Sequence, residues 1–177
     1  METTPGVMVE MCRWHEDGGG PQAAVRCLAF LDEIGIEVDW LQDGASQLLE
    51  GLAIVGGRLL IDPDTPVWPG DLLHEAGHIA VADPELRPAL GPLVADPTDE
   101  MMAIGWSWAA AKVCGLAPHH LFHDGGYRGD GARLAKAFML GQNIGAPMLG
   151  YYGMCCDTAT GLAEGKPSYP AMLRWLR

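Results

Sequence analysis

Residues 74–78 read His-Glu-Ala-Gly-His, and this short segment constrains the fold more than any other part of the chain. Two histidines four positions apart share one face only if the backbone is helical. The flanking residues also fit a helix. Apolar residues on both sides of the segment would form the opposite, buried face of the helix, and Pro84 would end it. We therefore predict a helix from Gly70 to about Asp83, with a second element packed against its histidine face.

The two histidines and the glutamate between them have the spacing that metal-assisted hydrolysis requires. His74 and His78 can point imidazole nitrogens at one ion, and zinc accepts such nitrogens while taking a third ligand from elsewhere. Glu75 lies about 100° around the helix from His74, so it misses the ion and can act as a general base on a bound water. The segment predicts one zinc ion and a hydrolase.

Glu100 is the best candidate for the third ligand. It lies 22 positions after His78, near the start of the next strong helical pattern. Asp99 and Asp96 are rivals that suit helix capping better.

A second polar cluster follows between residues 118 and 128. Hydrolysis of an acyl group needs a donor for the developing oxyanion, and His123 and Tyr127 are the candidates on this glycine-rich loop. His119 and His123 also have helical i, i+4 spacing, which leaves a second metal site open. A solvated surface loop explains the same residues equally well.

The remaining pattern predicts a small α+β protein. Residues 1–20 are expected to be a flexible segment, and residues 21–177 a single catalytic domain. Two apolar runs at 52–55 and 58–61 flank Gly56-Gly57 and predict a β-hairpin. We expect a small antiparallel sheet packed on helices, with further helices at 21–35, 96–115 and 132–140 and a proline-rich loop at 84–97.

The net charge and the cysteines limit the possible binding partners and the cellular location of the protein. The formal net charge of −12 argues against nucleic acid and against an anionic membrane surface. The five cysteines have no framework spacing, which favours reduced thiols and a cytoplasmic location. There is no run of 18 apolar residues. The oligomeric state is left open.

A hairpin, then an H-E-x-x-H helix, then a helix bearing Glu100 with small residues after it resembles the gluzincin metallopeptidases. Residues 50–113 are similar to the minimal catalytic core of the ImmA/IrrE type. The resemblance implies a cytoplasmic zinc peptidase that cleaves a peptide or protein substrate, with His74, His78 and Glu100 as ligands. The resemblance also implies a minimal zincin-like core. Members of this family often have an Asp one turn after the ligand Glu, and Ile104 stands there instead, so Ser107 or a backbone carbonyl would have to support a zinc histidine. For a peptide substrate, we expect the edge of the sheet to hold an extended strand.

Two other classes of function fit the same residues. One is a regulatory or partner-binding protein whose zinc is structural and which catalyses no turnover. The other is a metal-dependent enzyme that acts on a small molecule and is not a peptidase. A fourth ligand from Cys or His would favour the first, and a deep, closed pocket would favour the second.

Overall fold

The computed structural model describes residues 3–41, 49–91 and 96–177. Within these ranges the chain is an α+β protein, as predicted, with eight α-helices and a small open sheet packed against them. No helix in the described ranges combines the length and apolar composition that a membrane span requires. Residues 92–95, in the predicted proline-rich loop, lie outside the described ranges.

The first helices are α1 (Pro5–Met11) and α2 (Gly20–Glu33), and they pack on each other. The side chain of Met8 is 1% exposed and that of Trp14 is 9% exposed. The expectation of a flexible segment at residues 1–20 therefore needs correction for residues 3–20, which pack on the core. The hydrophobic periodicity of the sequence did not predict this packing, because α1 has only seven residues and only one of them is buried.

The sheet has the strand order β1-β3-β2, with β1 at Val38–Trp40, β2 at Leu52–Val55 and β3 at Arg58–Ile61. Strands β2 and β3 form the predicted antiparallel hairpin through Gly56 and Gly57, whose φ angles are +61° and +72°. β1 pairs with β3 in parallel, so the sheet is mixed and not wholly antiparallel. Strand β2 of the hairpin pairs with one edge of β3. Strand β1 pairs with the other edge and runs in the same direction as β3.

Helix α3 (Pro69–Val81) forms the centre of the molecule, and all 13 of its residues are buried. Its neighbours are α2, the sheet and α4. The end of α3 is capped by Arg87, whose Nε donates to Ile79 O at 3.0 Å, while Nη2 donates to Ala80 O at 3.4 Å and Ala82 O at 3.3 Å. These bonds satisfy carbonyls that a helix terminus leaves without partners.

Helix α4 (Pro97–Cys114) packs along α3. As predicted, the Asp96 side chain accepts a hydrogen bond from Thr98 N at 2.7 Å, and Gly115 ends the helix in the left-handed conformation with φ +66°. The remaining helices are α5 (Pro118–Leu121), α6 (Gly131–Met139), α7 (Ala146–Tyr151) and α8 (Thr158–Glu164). Trp106 and Trp108 of α4 are buried in the core.

Gly77 allows α3 and α4 to approach each other closely. A Cβ atom at residue 77 would lie 2.9 Å from Ala103 O and 3.2 Å from Ala103 Cα, which is closer than side chains normally come to a backbone. Ala103 is one turn after Glu100, and Gly77 directly precedes His78. The missing side chain at Gly77 thus sets the separation of the two helices beside the predicted ligands.

Candidate metal centre

His74 and His78 point into one buried space from the same face of α3. Their ring centroids are 4.9 Å apart, and the side chains of His74, Glu75 and His78 each offer a ligand atom within 4.8 Å of the others. In the part of the chain that the structure describes, no other group of three His, Cys, Asp or Glu side chains converges in this way. The structure therefore contains a His-Glu-His group that could hold a metal ion.

Glu100 reaches the same place from the first turn of α4. Its Oε1 lies 3.5 Å from His74 Nε2, and its Oε2 lies 3.2 Å from His78 Nε2. Two ligand atoms bound to one zinc ion in a tetrahedral arrangement are separated by about 3.3 Å. The carboxylate of Glu100 thus faces both imidazole nitrogens at a separation that suits a shared ion.

Two carboxylates, Glu75 and Glu100, therefore compete for the role of third ligand. Glu100 faces both Nε2 atoms, and its side chain is 39% exposed. Glu75 is buried, and its Oε2 atom makes no hydrogen bond. A buried carboxylate oxygen without a partner is costly unless water, an ion or a substrate satisfies it. Glu100 is therefore the carboxylate that faces both imidazole nitrogens, and Glu75 is the one that keeps a buried oxygen without a partner.

Burial sets the protonation of the groups around this space. It lowers the pKa of His74 to about 4, so this imidazole is neutral at pH 7 and its lone pair is free for an ion. Burial raises the pKa of Glu75 to about 7. The hydrogen bond from His78 is the main cause that lowers the pKa of Glu100 and keeps it a carboxylate. Neutral histidine and ionised glutamate are the forms that bind zinc.

Tyr127 lies against His74, with ring centroids 5.1 Å apart. Its hydroxyl is buried and makes no hydrogen bond that meets normal geometry, although Ser107, whose own hydroxyl donates to Ile104 O at 2.9 Å, lies nearby. Burial raises the pKa of Tyr127 well above 10, so the phenol keeps its proton. The structure thus brings one of the two expected oxyanion donors to the histidines with its O–H unused.

His123, the other expected donor, is engaged elsewhere. Its Nε2 donates to Asp71 Oδ1 at 2.9 Å, and its ring stacks on Trp68 with centroids 4.0 Å apart and planes 2° apart. Nδ1 of His123 is buried without a partner. His119 instead packs edge-on against the ring of His120, and it belongs to no three-residue ligand group among the described residues.

Sequence reasoning missed Asp71, which lies three residues before His74 on α3, a spacing that could have indicated a shared face. For the support of a zinc histidine it offered two alternatives, Ser107 or a backbone carbonyl. The Ser107 hydroxyl donates within its own helix, and Nδ1 of His74 is buried without a partner. Ser107 is one turn beyond Ile104, and a hydroxyl at this position bonds most easily to the preceding turn.

Comparison of the chain with protein-family models, with curated proteins and with solved structures finds no match. Function must therefore be inferred from the side chains that the fold brings together.

Proposed function

We propose that the chain is a zinc-dependent hydrolase in which His74, His78 and Glu100 hold the ion and Glu75 is the general base. One observation carries the proposal. The Glu100 carboxylate faces both imidazole Nε2 atoms, at 3.5 Å and 3.2 Å, beside a buried glutamate with an oxygen free. A two-histidine, one-glutamate set with a position left open is the ligand set of catalytic zinc sites.

The donor set fits zinc, because two neutral imidazoles and a carboxylate are its usual ligands. When bound, zinc supplies Lewis acidity, which acidifies water and polarises a carbonyl group. Glu75 accepts the proton of the attacking water and passes it to the leaving group. Burial raises the pKa of this carboxyl to about 7 in the metal-free protein, and a carboxyl with such a pKa can accept and donate a proton near neutral pH.

Tyr127 acts on the developing oxyanion in this proposal. The phenol O–H is buried, unpaired and protonated at neutral pH, so it can donate to the substrate oxygen without first breaking another bond. His123, held by Asp71 and Trp68, supports the same loop and retains Nδ1 as a free polar atom.

We further propose that the substrate is a peptide or protein, cleaved at an amide bond in the cytoplasm. The support is the resemblance of residues 50–113 to the ImmA/IrrE type, the outer strands β1 and β2, and five cysteines that are all free. An outer strand can pair with an extended substrate through backbone hydrogen bonds. An enzyme that hydrolyses a small molecule would use the same side chains.

A structural zinc site is less well supported. Such a site closes its fourth position with Cys or His. Among the described residues, the convergent group contains only His74, Glu75 and His78, and Glu100 is the added carboxylate. Neither a Cys nor a third His joins these side chains within the described ranges, which favours a reactive site over a closed one.

The experiment compares zinc-loaded wild type with Glu75→Gln and with the matched control Glu85→Gln, whose side chain is exposed. Turnover is measured with a fluorescence-quenched peptide library and a panel of small esters and amides. Loss of a general base typically slows turnover by roughly 100-fold to 10,000-fold. We expect that loss for Glu75→Gln with zinc content unchanged, and wild-type turnover for Glu85→Gln.

Full activity of Glu75→Gln would refute the role of Glu75. A wild-type protein that binds zinc but hydrolyses nothing in either panel would favour the binding protein without turnover. Cleavage of the small amides and esters alone would remove the peptidase assignment and keep the hydrolase.

A further inference from the structure

The loop before α6 holds two consecutive non-glycine residues in the left-handed region. Tyr127 has φ +53° and Arg128 has φ +54°, and Gly129 follows with φ +82°. Side chains with a Cβ atom disfavour this conformation, so it persists only where the surroundings enforce it. Strain of this kind is concentrated at binding and catalytic sites, and here it lies next to the proposed metal centre.

The side chains of Tyr127 and Arg128 lie in different environments. Tyr127 turns inward, and its ring meets the ring of His74 at 5.1 Å. Arg128 is exposed, and it lies close enough to Glu100 for its charge to contribute to lowering the pKa of that carboxyl. An exposed cation therefore directly follows the residue whose ring packs against His74, one of the two histidines of the site.

Among the described residues, Arg128 is the arginine that makes no hydrogen bond and no ion pair. Each of the other seven makes at least one hydrogen bond or ion pair within the described ranges: Arg13, Arg26, Arg58, Arg87, Arg133, Arg174 and Arg177. Arg128 makes neither with any described residue, although the chain has 23 acidic residues and a net charge of −12. A cation left unpaired in so acidic a protein is available to a ligand.

We propose that Arg128 binds a carboxylate of the substrate beside the bond that is cleaved. The guanidinium fork matches a carboxylate with two parallel hydrogen bonds, and a peptide carries carboxylates at its C-terminus and on Asp and Glu. The assignment rests on the proposed function, because it needs an open metal site next to Arg128. Glu100 does not compete for Arg128 in that state, since its carboxylate is committed to the ion.

The test uses two hydroxamates as probes of the zinc-loaded protein. One is the monohydroxamate of succinic acid, which carries a free carboxylate. The other replaces that carboxylate with a primary amide, so that its size is kept and its charge is lost. Dissociation constants are measured by calorimetry for wild type, for Arg128→Met and for Arg128→Lys. Arg133→Met is the matched control, because Arg133 is exposed and pairs with Asp130.

Wild type is expected to bind the acid at least about tenfold more tightly than the amide, as a charge-assisted pair implies. Arg128→Met should abolish this preference with zinc content unchanged, Arg128→Lys should keep part of it, and Arg133→Met should keep all of it. Competition by a short peptide with a free C-terminus, against an amidated peptide whose only carboxylate is on Glu, distinguishes the two sources of the anion.

An acid preference that survives Arg128→Met would overturn the assignment while leaving the hydrolase intact. So would equal binding of the two probes by wild type. If neither probe binds the zinc-loaded wild type, the metal site is closed, and the proposed function fails together with the role of Arg128.

Discussion

Substitution of Gly77 by alanine tests whether the close approach of α3 and α4 holds the metal ligands together. The added Cβ would lie 2.9 Å from Ala103 O and 3.2 Å from Ala103 Cα. Both contacts are with backbone, so no side chain can rotate away to relieve them. The helices must separate by a few tenths of an ångström at the level of His78 and Glu100.

Two opposing terms set the expected change in the free energy of unfolding. Overpacking of a tight contact costs about 1–3 kcal/mol. Removal of a glycine from a helix interior gains up to about 1 kcal/mol. The net expectation for Gly77→Ala is a destabilisation of about 0–3 kcal/mol. Zinc affinity should fall by roughly 10-fold to 100-fold, as changes behind a ligand set typically cause.

Two further glycine substitutions separate stability from metal binding. A Cβ at Gly105 would lie 2.5 Å from Ile144 O, on a contact of α4 that does not involve α3. Gly105→Ala should therefore destabilise the protein more than Gly77→Ala while the folded protein keeps its zinc affinity. Gly6 has nothing within 4 Å of the same position, so Gly6→Ala should be neutral or stabilising by up to about 1 kcal/mol.

The assays are denaturant unfolding of the zinc-free proteins and competitive zinc titration of the folded proteins. The reasoning is refuted if Gly77→Ala binds zinc as tightly as wild type while Gly105→Ala loses affinity. Equal effects of all three substitutions on unfolding would show that the close backbone contacts do not limit the packing.

Three other predictions concern the frame around the site. Arg87→Met should lower the free energy of unfolding by about 1.5–3 kcal/mol, because it removes charged donors from the last carbonyls of α3; an unchanged denaturation midpoint would contradict this. Tyr169→Phe removes a buried hydrogen bond of 2.7 Å to Gly105 O and should cost about 0.5–1.5 kcal/mol in the same assay. Chelation should lower the thermal midpoint of wild type and leave that of His78→Ala unchanged, because zinc binds the folded state only. Identical shifts in the two proteins would place the metal elsewhere.

Local signals in the sequence were sufficient to predict much of the fold around the site. The Gly56-Gly57 turn requires positive φ at two residues, and this requirement locates the turn of the hairpin in the sequence. Asp96 and Pro97 fix the start of α4 because the cap and the proline act over a few neighbouring residues. The two histidines and Glu75 follow from helical geometry alone. Each of these inferences depends on contacts within about one turn of the chain.

Contacts between distant segments were not predictable in the same way. The sequence of residues 38–40 does not indicate that this strand pairs in parallel with residues 58–61. An alternation of apolar and polar residues determines which face of a strand is buried, but it does not determine the direction of the strand. The bond between His123 and Asp71 joins residues 52 positions apart. The burial of Met8 depends on packing against α2, to which a seven-residue helix gives no periodic clue.

The most direct test of the metal centre is the zinc content and zinc affinity of purified wild type beside His78→Ala, Glu100→Ala and Asp99→Asn. Asp99 is the exposed acid next to Glu100 and serves as the matched control. We predict one zinc ion per chain for wild type and for Asp99→Asn, none for His78→Ala, and a sharply weakened site for Glu100→Ala. A wild type that binds no zinc, or a Glu100→Ala variant that binds it with wild-type affinity, would contradict the proposed centre.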